Sequence, residues 1–78
     1  MTLRELNRGQ SARIDQVDAR QPGVVRLMVL GLIEGAEVQY ESSAIGGDPM
    51  EISVYGTAIS VRKQQADFFR ISPLTSNV

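Results

Sequence analysis

Alternation constrains this chain more than any other feature. Val38 and Tyr40 are interleaved with Glu37, Gln39 and Glu41, and Met50, Ile52 and Val54 with Glu51, Ser53 and Tyr55. Ile59 and Val61 alternate in the same way over Ala58 to Arg62. A period of two puts the apolar side chains on one face of a strand and the polar ones on the other. Ser11 to Val17 follows the rule with Ala12 and Ile14 inward, and Phe69 to Ser72 supplies a last short strand. The chain has 78 residues. That is room for one domain, which hides only about 60% of its unfolded surface on folding.

The segments between the strands carry turn chemistry. Thr2-Leu3-Arg4-Glu5 has the residues of a capping box, which predicts a short helical turn laying Leu3 and Leu6 over the core. DARQPG (18–23) and SSAIGGDP (42–49) read as loops, the second a hairpin tip with Pro49 opening the next strand. Gly56-Thr57 fits the centre of a type II′ hairpin. A helical turn is expected around Lys63 to Asp67. These elements predict a mainly β domain, a strongly bent five-stranded antiparallel barrel with one inserted helix and short helical turns. Closing the sheet would remove its edges. The domain is expected to span residues 1–73, with 74–78 a frayed tail.

The inserted helix, Val24 to Leu30, departs from the usual surface pattern because it has almost no polar face. Gly31 stands where a left-handed cap would end it, with Leu32 folding back onto Leu27, and Gly35 permits the turn into the strand at Glu37. At roughly 100° per residue, Leu27 and Leu30 lie on one side and Val25 and Val29 on the other, with Met28 between. One barrel cannot cover both sides. The expectation is a core side of Leu27 and Leu30 and an exposed, partner-binding side of Val25, Met28 and Val29, joined by the only charge, Arg26.

The chain contains no Cys and no His, and its net charge is −1. Disulfides, thiolate metal sites and the commonest nucleophiles and general bases are therefore excluded. Carboxylate pairs remain: Asp15 with Asp18, Glu37 with Glu41, and Asp48 with Glu51. Carboxylates alone suit hard cations, so no intrinsic high-affinity transition-metal site and no cofactor are expected, weak surface binding through carboxylates aside. Gly46-Gly47-Asp48 lacks the Lys-Ser/Thr pair and the following helix of a phosphate loop. The charge balance argues against nucleic acid. The longest unbroken apolar run, Leu27 to Leu30, is far short of the about 20 residues of a membrane span. The N-terminus offers no apolar core for a signal peptide, so the chain is expected to stay where it is made.

The succession TLREL-x-x-GQ, RL-x-x-LGL-x-x-G, GDP, a Gly-turned hairpin and R-x-x-x-A resembles the FeoA family of ferrous iron transport proteins, from Thr2 to about Ile71. On this resemblance Arg26, Leu27, Leu30, Gly31 and Leu32 match the family's helix motif. Gly47, Asp48 and Pro49 match its loop motif, and Arg62 and Ala66 its last one. Ile45 stands where the family often has Pro, and Gln65 where it often has an acid. The resemblance implies an SH3-like barrel, related to the C-terminal domain of iron-dependent repressors. It also implies a cytoplasmic accessory of the membrane transporter FeoB, recruited through FeoB to the inner face of the membrane.

Three functions compete. The leading expectation is a non-enzymatic module that docks on FeoB, with self-association as a further use of the same helix. The alternative is a stand-alone metal-sensing or metal-carrying barrel. A small RNA-binding barrel fits poorly with a pI near 5.2 and four aromatic residues (two Tyr, two Phe).

Overall fold

In a computed structural model, which describes residues 1–74, five antiparallel strands form one sheet in the order β4-β3-β2-β1-β5. The strands are β1 (Ser11–Val17), β2 (Glu37–Ser43), β3 (Met50–Val54), β4 (Thr57–Val61) and β5 (Phe69–Leu74). The helix α1 (Val24–Val29) follows β1, and α2 (Lys63–Ala66) joins β4 to β5. Short 3₁₀ turns sit at Leu3–Glu5 and Ile45–Gly47.

Two irregularities bend the sheet. The register of β1 against β5 shifts between Ile14 and Gln16, and that of β2 against β3 between Tyr40 and Ser42. An extra residue on one strand sharpens local twist and turns the strand out of plane. As a result β2 pairs with β1 only through Glu37 to Gln39, and its later part belongs to β3. The sheet curls around one apolar interior built from the alternating residues: Ala12, Ile14, Val38, Tyr40, Met50, Ile52, Val54, Ile59, Val61, Phe69 and Ile71. Leu3 and Leu6 close one end, and the N–H of Thr2 donates to Glu5 Oε1 at 2.7 Å in the expected capping box. No polar residue among those described is buried.

Several boundaries differ from expectation. β2 runs through Ser43, so Ser42 and Ser43 belong to the strand and not to the loop. β5 runs through Leu74, because Pro73 and Leu74 pair with Ala12 and Ser11; the rest of the expected frayed tail, 75–78, lies outside the described residues. The β3–β4 hairpin is one residue earlier than expected. Val54 pairs with Thr57, the two-residue loop is Tyr55-Gly56, and both have positive φ (51° and 78°). That is a type I′ turn, not type II′. Nor does the sheet close through hydrogen bonds. Among the described residues no ladder joins β4 to β5, which remain its two edges.

Candidate functional site

The helix α1 ends where the sequence says it should. Gly31 has φ 123°; its N–H donates to the Met28 carbonyl at 3.0 Å, and the Leu32 N–H to the Leu27 carbonyl at 3.1 Å. These two bonds make a Schellman cap, which turns the chain back so that Leu32 and Leu27 are both buried. Gly35 (φ 89°) then delivers the chain to β2, its N–H on the Ile14 carbonyl at 2.8 Å.

The helix is rotated from the expected pose. Its buried residues are Val24 and Leu27, with Met28 half-buried against the core. Leu30 is 53% exposed, beside Val25 at 56% and Val29 at 81%. The reason is Val24. On the helical wheel Val24 and Met28 lie roughly 60° and 100° from Leu27 in one direction, while Leu30 lies roughly 60° the other way. Placing Val24 inside pulls Met28 toward the core and swings Leu30 out. So Leu30 is not core and Met28 is not fully exposed. The exposed arc runs Val25, Val29, Arg26, Leu30, an apolar surface with one basic side chain in it.

That arc has neighbours. Ile33, just past the cap, is exposed. Tyr55, at the I′ turn, is 73% exposed, and its ring lies about 3.5 Å from where a Cβ on Gly31 would sit. Tyr55 was missed by pattern reasoning, because an alternating segment gives no sign that its last residue will enter a turn. A large aromatic in the left-handed region is uncommon.

The two other motifs hold the frame. Oδ1 of Asp48 accepts the N–H of Lys63, the first residue of α2, at 3.0 Å. Gly47 lies beside the Lys63 side chain, and the Asp48-Pro49 peptide is cis. The Arg62 carbonyl accepts from the N–H groups of Gln65 and Ala66 at 2.9 Å, and Ala66 is fully buried. Gln65, the second departure from the family pattern, extends its amide toward Gly23, where α1 begins. The loop and last motifs are thus brought together by structure, and α1's exposed residues are a separate feature.

The carboxylates are largely engaged within the fold. Asp15 takes hydrogen bonds from Ser72 and from Arg13, which lower its pKa, the Ser72 bond most. Asp18 accepts from Arg20 Nε at 3.0 Å and Gln21 Nε2 at 3.1 Å, and its pKa is held down to about 2, chiefly by the Arg20 bond. Glu51 accepts from Ser60. A surface groove of about 510 Å³ is lined by Gln16, Asp18, Arg20, Asp67, Phe68 and Arg70, among others. Asp18 and Asp67 there are already paired with Arg20 and Arg4. Among the described residues no three of His, Cys, Asp and Glu come together as a metal site. No helix among them is long and apolar enough to cross a membrane.

Comparison with known proteins agrees with this architecture. The sequence profile of the FeoA domain matches residues 1–72. The solution structure of a FeoA protein from Chlorobium tepidum is 34% identical, with a TM-score of 0.87, covering 100% of this chain and 74% of that one. The zinc-complexed crystal structure of FeoA from Stenotrophomonas maltophilia is 29% identical, with a TM-score of 0.78, covering 92% of this chain and 89% of that one. It is described as a procaryotic SH3 domain protein and a candidate activating factor for ferrous iron transport. The manganese regulator SloR shares the fold alone: 15% identity, TM-score 0.76, 95% of this chain and 34% of that one. No match is found among proteins of curated function. The bent five-stranded sheet is therefore an SH3-like barrel, and with the profile covering nearly the whole sequence, the chain belongs to the FeoA domain family.

Proposed function

We propose that this chain is a non-enzymatic, cytoplasmic accessory of ferrous iron uptake that docks on the FeoB transporter through the outer face of α1. Its family is tied to iron uptake. The observation that carries the docking surface is the exposure of Val25, Val29 and Leu30 on a helix whose other side seals the core. Three exposed aliphatic side chains on so short a helix form a contiguous apolar surface of the kind that marks an interaction site. Ile33 and Tyr55 extend the apolar surface beyond the cap, and Arg26 gives it a point of charge recognition.

A module of this kind acts by binding, and the chemistry is left to the transporter. The chain has no phosphate loop and no group placed to organise a metal-bound nucleotide. Purified protein is expected not to hydrolyse GTP, and turnover that follows the protein peak through purification would contradict that. The direct experiment is a pull-down of FeoB by this protein, with the transporter's cytoplasmic domain and with full-length FeoB. Capture of at least one supports the reading. Capture of neither, together with sub-micromolar ferrous ion binding by the monomer under anaerobic conditions, would favour a metal-carrying barrel.

A further inference from the structure

The two edges of the sheet are treated differently. The outer side of β5 is covered: the Ile71 N–H donates to the Met1 carbonyl at 2.9 Å, Thr2 bridges to Arg70, and Pro73 interrupts the row of donors. Sheet edges are commonly guarded in this way, by a covering segment, by Pro or by charge. β4 has none of these devices. Its sequence, Thr57-Ala58-Ile59-Ser60-Val61, contains no charge and no Pro, and its register against β3 is unbroken.

The hairpin fixes which backbone groups are free. With a two-residue turn at Tyr55-Gly56, Val54 and Thr57 exchange the first pair of ladder bonds, followed by Ile52 with Ile59 and Met50 with Val61. Ala58 and Ser60 are the alternate positions, whose N–H and C=O point away from β3. Among the described residues neither makes a backbone hydrogen bond elsewhere, and both are exposed.

We infer that β4 is a self-pairing edge, joining antiparallel to β4 of a second copy of this chain across a two-fold axis at Ile59. An extended backbone is the ligand that a row of free amides and carbonyls recognises. A second copy fits because the segment is complementary to itself. Centred on Ile59, the axis sets Ala58 opposite Ser60 of the second copy, each donating to the other's carbonyl, and repeats the exchange on the far side. Thr57 falls opposite Val61, so small and β-branched side chains meet. Arg62 falls opposite Gly56, so no like charges confront one another. The two curled sheets become continuous. Val25, Val29 and Leu30 lie on α1 and not on this edge, and of the proposed docking surface Tyr55, in the turn before β4, stands next to it.

The test is amide hydrogen exchange on the full chain from micromolar to millimolar concentration, with sedimentation velocity alongside. The Ala58 and Ser60 amides should slow several-fold as concentration rises, in step with a shift toward dimer mass. Ser60→Pro removes one outward donor without touching the backbone bonds to β3, losing only the exposed side-chain bond from Ser60 to Glu51, and Ala58→Lys places a charge on the edge. Each should abolish the shift toward dimer mass and the slowing of the outward amides it retains (Ala58 alone in Ser60→Pro) while thermal stability shows the fold intact. A protein that stays monomeric throughout the range overturns the inference. So does a dimer that survives both substitutions, or one lost on Val29→Glu but not on Ala58→Lys.

Discussion

Asp48 and Lys63, fifteen residues apart, are joined by a hydrogen bond of 3.0 Å from the Lys63 N–H to the Asp48 carboxylate. The bond ties the β2–β3 loop to the start of α2, whose own N-cap residue, Arg62, supplies no side-chain acceptor. Asp48 therefore caps a helix from another part of the chain. Asp48→Ala should cost about 1 kcal/mol in urea unfolding, the usual worth of an N-cap acceptor. It should also speed exchange of the Lys63 amide, whereas Asp48→Asn, which keeps an acceptor oxygen, should recover most of both. Equal stability of wild type and Asp48→Ala would show the bond contributes nothing.

Gly31→Ala should destabilise the protein by about 1–2 kcal/mol, because φ is 123° there and an L residue is strained at that angle. The added methyl itself meets Tyr55 and Val54 at an ordinary 3.5 Å, so the loss is conformational and not steric. Thermal melts of the two proteins decide it. Coincident curves would remove the cap from the account.

The rotation of α1 makes opposite forecasts for two leucines that look equivalent in the sequence. Leu27→Ala should cost about 2–5 kcal/mol, since Leu27 is buried in the core, and Leu27→Glu should unfold so small a domain. Leu30→Glu should change stability by no more than about 0.5 kcal/mol. Denaturant midpoints measured side by side test the pose. A large loss at Leu30 would return it to the core.

Acid stability should depend on Asp18. Its folded pKa is depressed to about 2, so the carboxylate favours the folded state at pH values above its ordinary pKa, and that favour is lost as the pH falls toward 2. Stability should therefore decline between about pH 4 and pH 2, with the decline reduced in Asp18→Asn. Because the group is open to solvent, the effect should be small and weakened by salt. A carboxyl resonance of Asp18 that titrates near the ordinary Asp value would contradict the pairing with Arg20.

Much of the fold is legible from local pattern. Ser11–Val17 occurs as a strand at the expected residues, and Met50–Val54 starts where expected and stops one residue short, because apolar alternation and a flanking Gly or Pro mark most of each strand's type and limits. The cap at Gly31 is legible for the same reason: it is chemistry within six residues. What could not be read depends on contacts distant in sequence. The facing of α1 is set by how Val24 docks, so Leu30 and Met28 exchange their expected roles. Tyr55 enters the left-handed region because the β3–β4 register, and not its own preference, sets the turn one residue early. The Asp48–Lys63 bond links two segments whose meeting no periodicity announces. Of the proposed docking surface, Val25, Arg26 and Val29 were visible in the sequence, and Leu30, Ile33 and Tyr55 needed the fold.

Val29 is 81% exposed on the outer arc of α1. The decisive measurement is the affinity of full-length FeoB, in detergent, for wild-type protein and for Val29→Glu, with unfolding curves recorded on both. Val29→Glu should keep wild-type stability within about 0.5 kcal/mol. It should weaken binding at least about tenfold, because its charge would be desolvated at the contact without a partner. A folded Val29→Glu that binds FeoB as tightly as wild type would contradict the claim that α1 is the docking surface.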